Sequence, residues 1–74
     1  MIFERIREII GEQLQILPEE IEIDMRLDEL GIDSLDLFQI VMVLEELYGI
    51  EIDSDVADGF VTIEDVVNYI ENNK

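Results

Sequence analysis

"LGIDSLDLFQIVMVLEELYG", Leu30 to Gly49, is the stretch whose reading decides the fold. From Leu35 onward its apolar residues recur three and four places apart, the period of an amphipathic helix. Asp33 fits the N-cap, Asp36 the third helical position, Ile32 and Leu37 a hydrophobic staple, and Gly49 a left-handed C-cap. These signals predict a helix from Ser34 to about Tyr48. Ser34 then occupies the first helical position, its hydroxyl in solvent at the positive end of the helix dipole, which suits a phosphate ester. The plainer reading is that Asp33 caps the helix and Ser34 is incidental. Asp33 and Asp36 also oppose part of the electrostatic benefit to an anion.

Turning about 100° per residue puts Leu37, Ile40, Val41, Leu44, Leu47 and Tyr48 on one side, a core-facing stripe. The other side holds Asp36, Gln39 and Glu46, with Leu35, Met42 and Val43 interleaved. Single exposed apolar residues are ordinary, and a third helix could cover some of them. A mixed apolar and acidic strip is also what transient docking of a basic partner requires: methyl groups for contact, carboxylates for steering.

Upstream, Phe3, Ile6, Ile10 and Leu14, widened by Ile2 and Ile9, predict a first amphipathic helix from Ile2 to about Ile16. Glu4 and Glu8 lie on its polar face, Pro18 forbids continuation much beyond Leu17, and Gly11 costs about 1 kcal/mol relative to Ala. Residues 18–32 lack sustained periodicity and form a long first loop of about fifteen residues. The repeated "IEID" at Ile21 and Ile50 suggests a short strand pair, though two such strands bury little. Downstream, "DSDVADG" allows one or two helical turns before Gly59. In "VTIEDV", Thr62 and Asp65 form a capping box and Val61 and Val66 a staple; Ile63, Val66, Val67 and Ile70 line the buried side of a final helix. The expected architecture is all-α: a four-helix bundle of three main helices and one short one.

The 74 residues suffice for a single domain, 1–74, with an economical core and no room for an enclosed active site. An apolar content of 49% is too high for a disordered acidic tail. Four Lys+Arg against 20 Asp+Glu give a net charge of −16, which repels nucleic acid and anionic lipid and favours basic protein partners. The amphipathic N-terminus does not read as a signal peptide, and no apolar run approaches ~20 residues. A soluble, cytoplasmic monomer without membrane insertion is expected.

The chain contains no Cys and no His, so it builds no disulfide, thiolate nucleophile or zinc-thiolate site and lacks the usual general base. Ser34 has no partner to take its proton as a catalytic nucleophile, since the only lysine is Lys74. A modification acceptor needs only access, because the modifying enzyme supplies base and metal. Asp53, Asp55 and Glu64 match positions one, three and twelve of an EF-hand loop, but Ala57 stands at position five and Gly59 comes one place late. No dedicated metal site is expected.

"DELGIDSLDLFQIVMVLEELYGIEID", Asp28 to Asp53, resembles the acyl carrier protein family: it carries the family's Asp-Ser-Leu attachment motif and the acidic, apolar second helix that follows. The resemblance extends in length, helix order and acidity over nearly the whole chain. It implies that Ser34 is esterified with 4′-phosphopantetheine from coenzyme A by a separate phosphopantetheinyl transferase. The arm's terminal thiol would then carry acyl thioesters between enzymes of fatty acid or related acyl biosynthesis, the protein itself being no enzyme. It further implies that Asp33 supports the site and that Leu35, Asp36, Met42, Glu45 and Glu46, with Asp55 on the short helix, dock enzymes through their basic patches. Phe38, Val41 and Ile52 would line an acyl pocket. Gln39, where many fatty acid carriers have glutamate, and Gly59 with Phe60 depart from the family pattern and bear on partner choice. "GIDSLD" fits peptidyl and D-alanyl carriers poorly. The competing expectation is an acidic interaction module, a charge-mimic inhibitor or calcium-responsive adaptor, in which Ser34 only helps start a helix.

Overall fold

The computed structural model describes residues 2–74. Its helices are α1 (Ile2–Leu14), α2 (Ser34–Tyr48), α3 (Ser54–Asp58) and α4 (Ile63–Asn73), with single 3₁₀ turns at Pro18–Glu20 and Asp28–Leu30 inside the long first loop. The bundle is all-α: among the described residues the only strand-like feature is an isolated antiparallel bridge between Arg26 and Thr62. The two "IEID" segments do not pair. Ile21 and Ile52 instead enter the core, and the Ile23 carbonyl accepts the Glu64 N–H at 2.9 Å.

α1 packs against both α2 and α4, and α3 lies against α2. Ile2, Ile6 and Ile10 of α1 meet Ile40, Val41 and Leu44 of α2 and Ile63, Val66, Val67 and Ile70 of α4 in one core, which Ile21, Leu27, Ile52 and Ala57 complete. No polar or charged side chain is buried among the described residues, as expected when burying a charge is so costly.

α1 ends two residues earlier than its apolar pattern predicts. Gln15 turns into the left-handed region (φ 60°), and the Ile16 N–H closes back on the Gly11 carbonyl at 3.0 Å, the longer bond of a Schellman motif. The returning chain leaves no space above Gly11: a Cβ there would sit 2.8 Å from the Ile16 carbonyl oxygen. Gly11 is therefore required by close approach, and the cost expected from its helix propensity is offset by the turn it permits. Arg7 then fixes the start of the loop. Its Nε donates to the Pro18 and Ile21 carbonyls, both at 3.0 Å, its Nη2 donates to the Glu19 carbonyl at 3.3 Å, and the guanidinium lies over the Phe3 ring.

The middle of the loop is held by α4. The first helical amides, Ile63 and Glu64, donate to the Met25 and Ile23 carbonyls at 3.0 and 2.9 Å, so loop oxygens satisfy donors that a helix start would otherwise leave unpaired. Thr62 and Asp65 complete the expected capping box: Asp65 N–H donates to Thr62 Oγ1 at 3.2 Å, and Thr62 N–H to Asp65 Oδ2 at 3.1 Å. Val61, expected at the staple position, is half exposed. Its backbone is used instead, its N–H donating to Asp65 Oδ2 and its carbonyl accepting from Leu27 N–H, each at 2.9 Å. Leu47, expected in the core stripe, is also half exposed, because it lies on the rim of an open cleft with Ile2, Arg5, Tyr48 and Lys74.

Gly11→Ala should destabilise the fold by about 1–3 kcal/mol, the usual cost of overpacking. Helix propensity alone would instead yield a gain near 1 kcal/mol. Chemical denaturation of the two proteins decides between these signs. The Val61 and Thr62 amides hold the Asp65 carboxyl below the usual carboxylate range. A depressed native pKa gives stability that is complete at neutral pH and lost as pH falls from the ordinary value, about 4, through the lowered one. Asp65→Ala should therefore be less stable by roughly 1–2 kcal/mol at pH 7. The gap to wild type, measured by urea titration, should shrink as pH is lowered below about 4.

Candidate functional site

Ser34 is presented by a short relay of local structure. The Asp28–Leu30 turn ends at Gly31, whose φ of 77° lies where side-chain-bearing residues are strained. Asp33 follows in extended conformation and caps α2, its Oδ1 accepting the Asp36 N–H at 2.9 Å. The reciprocal half of a capping box is absent here. Asp36 Oδ1 accepts from Gln13 Nε2 of α1 at 3.4 Å, and the same Gln13 amide also donates to Gln39.

This leaves Ser34 exposed at the first position of α2, its hydroxyl making no hydrogen bond among the described residues. The Ser34 and Leu35 amides likewise find no protein acceptor there. The contrast with α4 is direct: α4 has acceptors for each amide of its first turn, whereas α2 leaves two free beside an exposed hydroxyl. An open cleft of about 270 Å³ adjoins the serine, with apolar walls from Leu27, Ile32, Leu37, Phe60 and Val61 and charged groups from Arg26, Asp28, Asp33 and Asp58. Free amides, an accessible hydroxyl, an arginine and an apolar trough fit a phosphate ester continued by a flexible, partly apolar arm. Among the described residues the Ser34 hydroxyl has no hydrogen-bonded partner that could take its proton.

Of the other residues expected in the site, Leu35 (65% exposed) and Met42 (53%) stand outward on α2, as the helical register predicts. Glu46 and Asp55 are exposed, and Asp36 is half-buried beside Gln13. Glu45 is tied into the fold: its Oε2 accepts the Ile52 N–H at 2.7 Å and fixes the chain between α2 and α3. Val41 and Ile52 belong to the core. Phe38 does not. At 58% exposure it lies outside the bundle, three residues along the outer face from Leu35, so it lines no interior in this conformation.

The structure adds three residues to the neighbourhood of Ser34 that sequence patterning missed: Arg26 and Phe60 in the cleft, and Gln13 at the start of α2. Arg26 carried a sequence signal as a rare cation in a chain with four basic residues, and Phe60 as a departure from the family pattern, but neither signal placed them beside Ser34. The EF-hand pattern is broken by the fold itself, since Glu64 lies in the first turn of α4. Among the described residues no cluster of three or more ligating side chains forms, and no helix is long and apolar enough to cross a membrane.

Residues 4–70 match the family model described as "Phosphopantetheine attachment site". An acyl carrier protein of Campylobacter hominis is 46% identical over 72 residues, covering 96% of this chain and 91% of its own length. One of Wolinella succinogenes is 46% identical over 74 residues, covering 99% and 97%. The crystal structure of an acyl carrier protein from Thermotoga maritima has the same fold, with a TM-score of 0.81 over 92% of this chain and 80% of its own, at 22% identity.

Replacing the cap, Asp33→Ala, should cost about 1 kcal/mol, typical of losing a side-chain N-cap. The first turn of α2 should fray selectively, seen as faster hydrogen exchange at the Asp36 amide than in wild type.

Proposed function

We propose that this chain, which belongs to the acyl carrier protein family and so carries a covalently bound 4′-phosphopantetheine, bears that group on Ser34. The observation that carries the assignment is the unengaged Ser34 hydroxyl at an exposed helix start with two free amides beside it. The protein is a non-catalytic carrier. Modification makes the Ser34 oxygen an ester of the arm's phosphate, displacing the nucleotide half of coenzyme A, while the transferase supplies the base. Once bound, the group provides the thiol that this cysteine-free chain lacks, and acyl groups are held on it as thioesters.

In our reading the protein, residues 1–74 as one domain, shuttles intermediates of fatty acid or a related acyl biosynthesis. It works as a cytoplasmic monomer between the transferase and enzymes with basic docking patches. Leu35, Asp36, Met42 and Glu46, with Asp55 at the edge, form the docking face, apolar side chains supplying contact area and carboxylates steering approach. Glu45 contributes charge to it while holding Ile52 in place. Val41 and Ile52 remain the acyl-lining candidates, reached only if α2 and α3 part. Asp33 supports the site by fixing the first turn. Family membership favours this reading over the acidic interaction module.

Incubation with a broad-specificity phosphopantetheinyl transferase and coenzyme A, followed by intact-mass measurement, tests the assignment. The wild type should gain the mass of one phosphopantetheinyl group, and Ser34→Ala, which removes an exposed hydroxyl and should fold normally, should gain none. An unmodified wild type, or an equal gain on the variant, would sink the proposal.

A further inference from the structure

Arg26 is the one cation lining the cleft beside Ser34, where Asp28, Asp33 and Asp58 supply the opposite charge. An anionic ester on Ser34 would therefore enter a field set by three carboxylates within a chain of net charge −16. The other basic residues are placed elsewhere. Arg7 is engaged with the carbonyls of Pro18, Glu19 and Ile21. Arg5 and Lys74 line the cleft at Leu47 and Tyr48, at the far end of a helix of 15 residues, which is about 22 Å long.

The backbone of Arg26 is held firmly. It bridges to Thr62, and its N–H donates to Glu29 Oε1 at 2.9 Å. Its side chain is bound on one edge only: Nε donates to Asp28 Oδ1 at 3.1 Å and Nη2 to Asp28 Oδ2 at 2.9 Å, and the pair is well exposed. The Nη1 donors make no hydrogen bond among the described residues. A planar guanidinium with one edge on a carboxylate can present its remaining donors to a second anion, and phosphate oxygens match that geometry.

We propose that Arg26 is a positioning residue for the prosthetic arm: braced by Asp28, its guanidinium takes the phosphodiester on Ser34 as a second anionic partner. It thereby holds the root of the arm against the cleft and offsets the repulsion of the three neighbouring carboxylates. The role assigned to Arg26 is confined to the phosphate at the root of the arm and includes no part in acyl transfer. The inference rests on Ser34 being the attachment point, and mass measurement tests that separately: absence of modification refutes the Ser34 assignment before Arg26 is examined.

The test compares fully modified and unmodified protein by NMR. In wild type the Nε–H signal of Arg26 should shift on modification while those of Arg5 and Arg7 stay in place. The phosphorus resonance of the ester should differ between wild type and Arg26→Gln, with Arg26→Lys in between. The difference should collapse in about 1 M salt, where screening acts over roughly 3 Å. The apo/holo comparison of wild type needs no variant, so the test survives a substitution that harms folding. A merely structural Arg26 would lower the stability of the unmodified protein on substitution and leave the phosphorus signal unmoved. An Arg26 signal identical before and after modification, or a phosphorus resonance indifferent to Arg26→Gln, overturns the proposal.

Discussion

The first turn of α4 must place its unpaired amides somewhere, and it places two of them on carbonyls of the first loop. Ile63 N–H meets Met25 and Glu64 N–H meets Ile23, while Thr62 caps the third. That requirement does more than finish a helix. A connection from residue 15 to 33 buries little of its own, with Ile21 and Leu27 as its core contributors, and without external partners its conformational entropy would dominate. Arg7 holds its first part and α4 its middle, so the chain arrives at Gly31 and Asp33 along a determined path. The orientation of Ser34 thus depends on contacts made far from it in sequence.

The parts of the fold written in local chemistry were legible. The bounds of α2 follow from Asp33 and Gly49, and the start of α4 from Thr62 and Asp65, because caps act over three or four residues. The buried face of α4 was likewise fixed by periodicity alone. What could not be read was non-local. Arg7 meets carbonyls 11 and 14 residues away, and Gly11 owes its necessity to a chain that returns over it. Neither leaves a periodic trace. Leu47 was misplaced for a related reason: a stripe gives direction around a helix but not what lies opposite. α3 is only five residues long and covers only part of α2, so Phe38, Met42 and Val43 remain in solvent.

The same limit applies to the site. The position of Ser34 at the start of α2 was legible from its neighbours, whereas the role proposed for it rests on family resemblance rather than on physics. The cleft beside it was illegible, because its walls come from the first loop, α2 and the segment between α3 and α4. Arg26 and Phe60 are 34 residues apart in the chain and meet only in the fold.

Acidity serves two ends here that composition does not separate. Asp33, Glu45 and Asp65 accept backbone N–H groups, and Asp28 braces Arg26, so these carboxylates hold caps and loops in place. Glu46 and Asp55 are exposed. A chain that caps its helices with carboxylates repels the phosphate its serine is suited to carry. The free amides at Ser34 and Leu35 in the first turn of α2 counter this, and Arg26 of the first loop lines the cleft beside them. The Asp33 carboxylate is turned onto the Asp36 amide, so its charge is partly answered within the turn and the two amides before it stay available. An aspartate at the cap and a serine directly after it are thus compatible because each draws on different donors of the same helix start.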